Sequence, residues 1–255
     1  MRFKTLGQGG LLITNKNINI LVDPYLSNSV EERDNSEFKR LFKIPYNPRD
    51  LKNINWVLIT HDHLDHCDPD TIPLIADASP SCKFMGPSPV RKLLKKWGIC
   101  ESRIVQAKSE FKEIEKNFHI KSMPALHPKL IIGDDGEPNT IGWFIKYKSK
   151  NIYIAGDTCL SDSFIKKLKE CEEIDLCFLP VNEDNFFRRK KGIIGNMSIR
   201  DAFGLANELR VKELVPIHWD MFKANNTTPE EIFAVFNSYD WNFKLNLNKS
   251  FWYEL

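Results

Sequence analysis

The sequence predicts an α/β (α+β) protein in which two β-sheets pack together and helices cover their outer faces. Short strand-like runs dominate the first two-thirds of the chain, and one of them is a continuous apolar run over residues 56–60. Strand-like and helix-like segments alternate in both halves of the chain. This alternation is typical of sheets that are covered by helices.

The first 60 residues contain short strands on either side of one polar segment. Strand-like runs cover residues 2–6, 10–14 and 18–22. Residues 27–50 are polar and charged, and we expect a loop there with a helical turn around residues 38–42. The apolar run at residues 56–60 is typical of a strand that is buried on both faces.

Helix signals begin after this strand. A helix is expected to start near Asp70, and a second is expected over residues 89–97, where apolar residues have helical spacing and Gly98 ends the run. Hairpin turns are indicated at residues 133–136 and 150–151. Further strands are expected at residues 111–114, 118–123, 141–148, 152–155, 175–180, 214–217 and 243–247. Further helices are expected at residues 162–170, 199–209 and 229–236.

Composition argues against several classes of protein. The hydrophobic share of 42% and the charged share of 27% are ordinary for a soluble globular protein. A formal net charge of +2 gives no support for nucleic-acid binding through overall charge. No apolar run approaches the ~20 residues of a membrane-spanning helix, so we expect no membrane partner. The N-terminus lacks a signal-peptide pattern and the six cysteines form no C-x-x-C pair, so we expect a cytoplasmic protein with reduced thiols.

Three imidazoles and two carboxylates crowd one short loop after the strand at residues 56–60. The loop is Thr60-His61-Asp62-His63-Leu64-Asp65-His66. A folded chain does not gather so many groups that need charge compensation without a partner. Imidazole and carboxylate together suit divalent zinc, manganese or iron. Because three of the six histidines lie within six residues, a solvated His-rich surface loop is the weaker explanation.

Three more candidates each follow a predicted strand, as His61 does. They are His127, Asp157 and His218. Strand ends are where a sheet protein gathers distant residues into one site. His119 lies within a predicted strand instead and alternates onto a polar face, so it is excluded from the site.

The spacing His61-x-His63-x-Asp65-His66, with the later His127, Asp157 and His218, resembles the signature of the metallo-β-lactamase superfamily. Asp23 resembles the family's early strand-end aspartate, which supports the metal loop from behind. Within the superfamily, the sequence is most similar to the L-ascorbate-6-phosphate lactonase group. This finer likeness is carried by residues 60–66, Phe84-Met85-Gly86-Pro87, Trp97-Gly98-Ile99, Ala155-Gly156-Asp157-Thr158, Gly195-Asn196-Met197-Ser198 and residues 215–222.

The resemblance implies a four-layer αβ/βα sandwich formed by a single domain over residues 1–255. It implies two divalent metal ions, zinc or manganese with iron as a third option, that activate a water molecule as the nucleophile. The implied ligands are His61, His63 and His127 for metal one, and Asp65, His66 and His218 for metal two, with Asp157 between them. Asp65 and Asp157 are accordingly expected to be essential for catalysis.

The polar segment after the strand at residues 175–180 is expected to lie near the substrate. Arg188 and Arg189 could bind a phosphate or carboxylate through bidentate contacts. A solvated basic loop explains such a charge run equally well. Asn196 is a further candidate for substrate contact. We expect a small, anionic substrate, and the sequence leaves open whether the chain forms a homo-oligomer.

These residues favour a lactonase-like hydrolase of a small phosphorylated or acidic sugar derivative. A phosphodiesterase acting on a small nucleotide or a lipid head group is the alternative. A di-iron redox protein is less favoured, because His63-x-Asp65-His66 keeps the hydrolase pattern. A binding protein without catalysis is less favoured, because all seven candidate ligands are present.

Overall fold

Two seven-stranded sheets face each other in the computed structural model, which describes residues 1–16 and 18–247 and the backbone of residues 253–254. The strands are β1 (Arg2–Gly7), β2 (Gly10–Thr14), β3 (Asn19–Val22), β4 (Trp56–Leu58), β5 (Lys83–Gly86), β6 (Ile104–Gln106), β7 (Lys112–Glu115), β8 (Phe118–Pro124), β9 (Ile141–Tyr147), β10 (Lys150–Ile154), β11 (Leu176–Pro180), β12 (Glu213–Ile217), β13 (Lys244–Leu245) and β14 (Tyr253–Glu254). The helices are α1 (Ser29–Arg33), α2 (Ile72–Ala78), α3 (Ser88–Lys96), α4 (Asp162–Lys169), α5 (Phe186–Lys190), α6 (Ile199–Glu208) and α7 (Pro229–Phe236).

Each sheet is antiparallel at one side and parallel at the other. The first sheet has the order β14-β1-β2-β3-β4-β5-β6, and strands β3 to β6 run parallel. The second has the order β13-β12-β11-β10-β9-β8-β7, and strands β10 to β13 run parallel. The carboxyl ends of parallel strands meet at one edge of a sheet, which is where loops gather functional side chains.

The core has three apolar layers, and they confirm the predicted four-layer αβ/βα sandwich. Residues from both sheets fill the central layer, where the rings of Phe3 and Phe178 lie 5.9 Å apart. The outer face of the first sheet packs against α2 and α3. The outer face of the second packs against α4, α6 and α7. Each large side chain buried in this way contributes about 1.5–3 kcal/mol to the free energy of unfolding.

Capping boxes determine where two of the helices that cover the second sheet begin. Ser198 and Asp201 form a capping box at the start of α6. Thr228 and Glu231 do the same for α7, where Pro229 occupies the first turn. Both arrangements satisfy backbone N–H groups that the helix itself leaves without partners.

The structure differs from the sequence prediction at several short elements. Residues 38–42 form no helical turn, because Arg40 pairs with Phe222 in an isolated β-bridge. The helical segments of this loop are α1 and a short 3-10 helix at Pro48–Asp50. The hairpin between β9 and β10 turns at residues 148–149, two residues before the predicted break. The turn at residues 133–136 closes a single bridge between Ile132 and Pro138.

The sequence prediction also missed strands β5 and β6 and helix α5. These elements have four, three and five residues, so none is long enough to show a hydrophobic period. Within the described residues, no helix has the length and apolar character that crossing a membrane requires.

Candidate metal centre

Seven side chains from both sheets meet at one edge of the sandwich. Their ligand-type atoms form three groups, and within each group these atoms lie no more than 4.8 Å apart. The groups are His61, His63 and His127; His61, His66 and Asp157; and Asp65, His66 and His218. The first and third groups are the two ligand sets that the resemblance implies, and the second group contains Asp157.

Asp157 lies between the two implied ligand sets. Its Oδ1 atom is 3.4 Å from His66 Nε2 and 3.2 Å from His218 Nε2. Its Oδ2 atom is 3.5 Å from His127 Nε2. The carboxylate therefore presents one oxygen to each set.

Strand ends supply these residues. Val22 of β3 and Leu58 of β4 are paired in parallel register, so Asp23 and the loop that begins at Ile59 leave the first sheet at the same edge. Asp157 follows β10, and His218 follows β12 directly. A backbone hydrogen bond from Ile141 N to Thr60 O joins this edge to the second sheet.

Gly156 allows the turn that directs Asp157 into the centre. Its φ angle is +62°, in the left-handed region that favours glycine. A Cβ atom there would also lie 2.8 Å from the Thr60 side chain. Both constraints explain why a glycine precedes this aspartate.

Asp23 supports the histidine loop from beneath, as the resemblance to the superfamily implies. Its carboxylate accepts hydrogen bonds from Thr60 N at 2.8 Å and Thr60 Oγ1 at 2.6 Å. Its Oδ2 atom also lies 2.8 Å from His66 Nδ1. With a proton on Nδ1, His66 directs the lone pair of Nε2 toward Asp157 and Asp65.

The pKa values of four buried histidines are shifted in opposite directions. Burial lowers the pKa of His61 well below its usual value and that of His127 to about 4. Burial also acts against the charged forms of His66 and His218, but neighbouring carboxylates outweigh it, Asp157 foremost. They raise the pKa to about 9 for His66 and about 10 for His218.

The same interactions hold the central carboxylates in their ionised form. Burial would raise the pKa of Asp65 and Asp157, but the charges of His66 and His218 outweigh it and lower both pKa values. The centre is thus a compact cluster of buried, oppositely charged groups.

Buried atoms without partners test whether this cluster fits a metal. His66 Nε2 and Asp157 Oδ1 are fully buried and have no hydrogen-bond partner. Such atoms cost free energy unless something satisfies them. A divalent cation suits both, because imidazole nitrogen and carboxylate oxygen are its usual ligands in proteins. The donor set fits.

A cleft of about 470 Å³ opens above the centre. His63, Asp65, His127, Asp157 and His218 contribute to its lining. Its remaining wall is partly apolar and partly polar, from Val30, Phe38, Leu64, Ile193, Ile194 and Phe222 and from Asp34, Asn35, Asp62, Lys191, Gly192 and Asn225.

The structure does not bring the three predicted substrate residues into this cleft. Arg188 donates hydrogen bonds to the backbone oxygens of Glu183 and Asn226, so its guanidinium ties two loops together. Arg189 pairs with Asp184 at the surface. Asn196 is buried and donates to Asn182.

Two residues of the centre and its cleft were not singled out from the sequence. Lys191 is the one lysine or arginine among the described residues that line the cleft. Gln8, in the turn between β1 and β2, contacts both Asp65 and His218. Only the folded chain shows which residues this turn approaches.

Comparisons with known proteins identify the family of this chain. The family model of the β-lactamase superfamily domain matches residues 18–219. The chain is 24% identical over 233 residues to an N-acyl-phosphatidylethanolamine-hydrolyzing phospholipase D of Caenorhabditis elegans, covering 87% of this chain and 64% of that protein. It is 24% identical over 198 residues to a probable L-ascorbate-6-phosphate lactonase of Salmonella heidelberg, covering 72% of this chain and 54% of that protein. The chain thus spans less than two-thirds of the length of these relatives.

A solved structure supports the fold. The metallo-hydrolase Igni18 of Ignicoccus hospitalis superposes with a TM-score of 0.72 at 19% identity, and the match covers 100% of this chain and 98% of that one. At this identity, the likeness concerns the fold.

Proposed function

The chain belongs to the metallo-β-lactamase superfamily, and from this premise we propose that it is a metal-dependent hydrolase of a small phosphorylated or otherwise acidic substrate. One observation carries the proposal. The Asp157 carboxylate lies between two sets of metal-type ligands at the floor of an open cleft, with one oxygen toward each set.

The residues of the centre would hold two divalent cations. His61, His63 and His127 form one ligand set, and Asp65, His66 and His218 form the other. Asp157 would contribute to both. Two such cations supply an activated water as nucleophile near neutral pH and stabilise negative charge on the reacting oxygens.

The protein's own groups orient the ligands and the substrate. Asp23 keeps the Nε2 lone pair of His66 directed into the centre. Lys191, at the cleft wall, provides a positive charge for an anionic group of the substrate. The wall also presents apolar side chains, such as Phe222 and Ile193, to the substrate.

The names of the relatives favour a phosphate-bearing substrate, but they differ in the bond that is cleaved. One name specifies a lactonase of a sugar-acid phosphate, and the other a phospholipase that hydrolyses a phospholipid. Both substrates carry phosphate, which agrees with a cationic group in the cleft. Lactonase-like hydrolysis is our first proposal, and hydrolysis of a phosphodiester in a small nucleotide or lipid head group is the second.

A metal-defined activity assay tests the proposal. The protein would be purified without chelator, its metal content determined by elemental analysis, and its activity measured against phosphorylated lactones and small phosphodiesters after loading with zinc or manganese. We expect about two metal ions per chain and hydrolysis that a chelator abolishes and added metal restores.

The Asp157→Asn variant, prepared in parallel, guards against a contaminating hydrolase. It should lack the activity, because it keeps the shape of the central carboxylate and removes its charge. A wild-type chain that binds no metal and gains no thermal stability from zinc or manganese would overturn the proposal. So would activity that persists in the variant.

A further inference from the structure

The side chain of Gln8 reaches into the centre from the turn between β1 and β2. Its Nε2 atom lies 2.7 Å from Asp65 Oδ2 and 2.9 Å from His218 Nε2. The residue is 4% exposed. Its amide therefore meets two of the three ligands in the Asp65, His66 and His218 set.

The backbone of Gln8 holds this side chain in place. Its φ angle is +55°, a left-handed conformation that non-glycine residues seldom adopt. Gln8 N donates to Asp220 Oδ1 at 3.2 Å, and Gln8 O accepts from His218 N at 2.9 Å. The turn is thus attached to the residue that follows β12, across the gap between the two sheets.

The next residue permits the close approach of this turn to the centre. A Cβ atom on Gly9 would lie 2.9 Å from His66 Cε1, closer than side-chain atoms pack. The third ligand of the set, His66, therefore also contacts the same turn. All three members of this ligand set therefore lie next to residues 8–9.

The contact with Asp65 can persist when a cation is bound. A carboxylate oxygen has more than one lone pair, so Asp65 Oδ2 can accept a hydrogen bond from the amide and still face a cation. Ligating carboxylates in metal sites are commonly held by such hydrogen bonds, and loss of the partner typically costs 10–100-fold in metal affinity.

We propose that Gln8 is a positioning residue of the Asp65, His66 and His218 site. Its amide orients the Asp65 carboxylate, and its backbone fixes the position of His218. Gln8 therefore sets the affinity for a cation at this site and leaves the His61, His63 and His127 site unchanged. This inference rests on the proposed function, because it takes the two ligand sets as metal sites.

The test separates the two sites by removing one ligand at a time. Gln8→Met keeps an unbranched side chain of similar length and removes the N–H donors. It would be combined with His127→Ala, which leaves the Asp65, His66 and His218 set complete. It would also be combined with His218→Ala, which leaves the His61, His63 and His127 set complete. Zinc and manganese affinities would be measured by competition with a chromophoric chelator.

We expect Gln8→Met to weaken metal binding about 10–100-fold in the His127→Ala background. We expect no change in the His218→Ala background, because Gln8 makes no hydrogen bond to His61, His63 or His127, the ligand set that stays complete there. Thermal unfolding of the ion-free variants shows whether the fold is retained. Gln106→Met is the matched control, because Gln106 also donates from Nε2 to an aspartate, Asp135, away from the centre.

Each outcome decides between distinct possibilities. Unchanged or tighter binding in the His127→Ala background would overturn the role of Gln8, and so would an equal loss at both sites. An equal effect of Gln106→Met would show that general destabilisation is the cause. A wild-type chain without metal affinity would contradict the proposed function itself, which is a separate result.

Discussion

Asp23 and His66 lie 43 residues apart in the sequence, yet Asp23 Oδ2 is 2.8 Å from His66 Nδ1, and both side chains are buried. When the His66 ring is neutral, this contact keeps its proton on Nδ1. A proton on Nδ1 leaves the lone pair on Nε2, which is the atom that faces Asp157. The support for the metal loop is therefore electronic as well as steric.

Replacing Asp23 with asparagine should favour the opposite tautomer of His66. The amide of Asn can donate to His66 Nδ1, which moves the ring proton to Nε2 and blocks its lone pair. We expect a loss of about 10–100-fold in metal affinity, measured by competition with a chelator. Asp175→Asn is the control, since Asp175 is buried but pairs with Lys150 and Lys212 away from the centre. It should lower the unfolding temperature and leave metal affinity unchanged, and equal metal loss in both variants would contradict the prediction.

Replacing Asp157 with asparagine should weaken both metal sites. One oxygen of Asp157 faces His66 and His218 and the other faces His127, so removing its charge leaves two cations with less compensation. We expect a reduced metal content and a fall in kcat of at least ~100-fold. The fold should survive, because the residue lies at the rim of the sheets, and circular dichroism would check this. Full metal stoichiometry with near-normal turnover would mean that Asp157 only ends a turn.

Replacing Lys191 with alanine should raise KM for an anionic substrate and change kcat little. A charge that contacts the substrate equally in ground and transition states affects binding alone. Because Lys191 is exposed and lies 3.4 Å from Glu37, we expect a modest effect of about three- to fivefold. Lys190→Ala is the adjacent control, because Lys190 lies over the ring of Phe186 and does not line the cleft. Equal KM changes in the two variants would exclude a specific role for Lys191.

Metal binding at the two sites should differ in its pH dependence. His66 and His218 have pKa values raised to about 9 and about 10 in the ion-free protein, so each must lose a proton to bind a cation at pH 7. Affinity at their site should therefore rise as the pH increases from 7 to 9. His61 and His127, with lowered pKa values, are already neutral at pH 7, so their site should show little change in that range. Titrations in the His127→Ala and His218→Ala backgrounds would measure this, and a flat profile at the His66 and His218 site would contradict it.

The residues of the centre could be predicted from the sequence because several of them follow an apolar run, such as residues 56–60, that is recognisable by its composition. His61, Asp157 and His218 come after runs whose burial on both faces is evident from composition, and parallel strands deliver their carboxyl ends to a common edge. The capped helices α6 and α7 were predictable for a similar reason, since their signals lie within a few residues of each other. Short elements such as β6 and α5 give no such periodic signal.

Side-chain positions in the cleft depended on contacts between distant segments. The charge run around Arg188 predicted a substrate site, but the folded chain uses that guanidinium to join the backbone of Glu183 to that of Asn226 and leaves Lys191 at the cleft wall. Gln8 meets Asp65 and His218 across 57 and 210 residues of sequence. The sequence alone therefore determined the chemistry of the centre and the sheets that carry it, because residue type and hydrophobic period are local properties. Only the tertiary structure decided which polar groups surround it, because hydrogen-bond partners are chosen by packing between the two sheets.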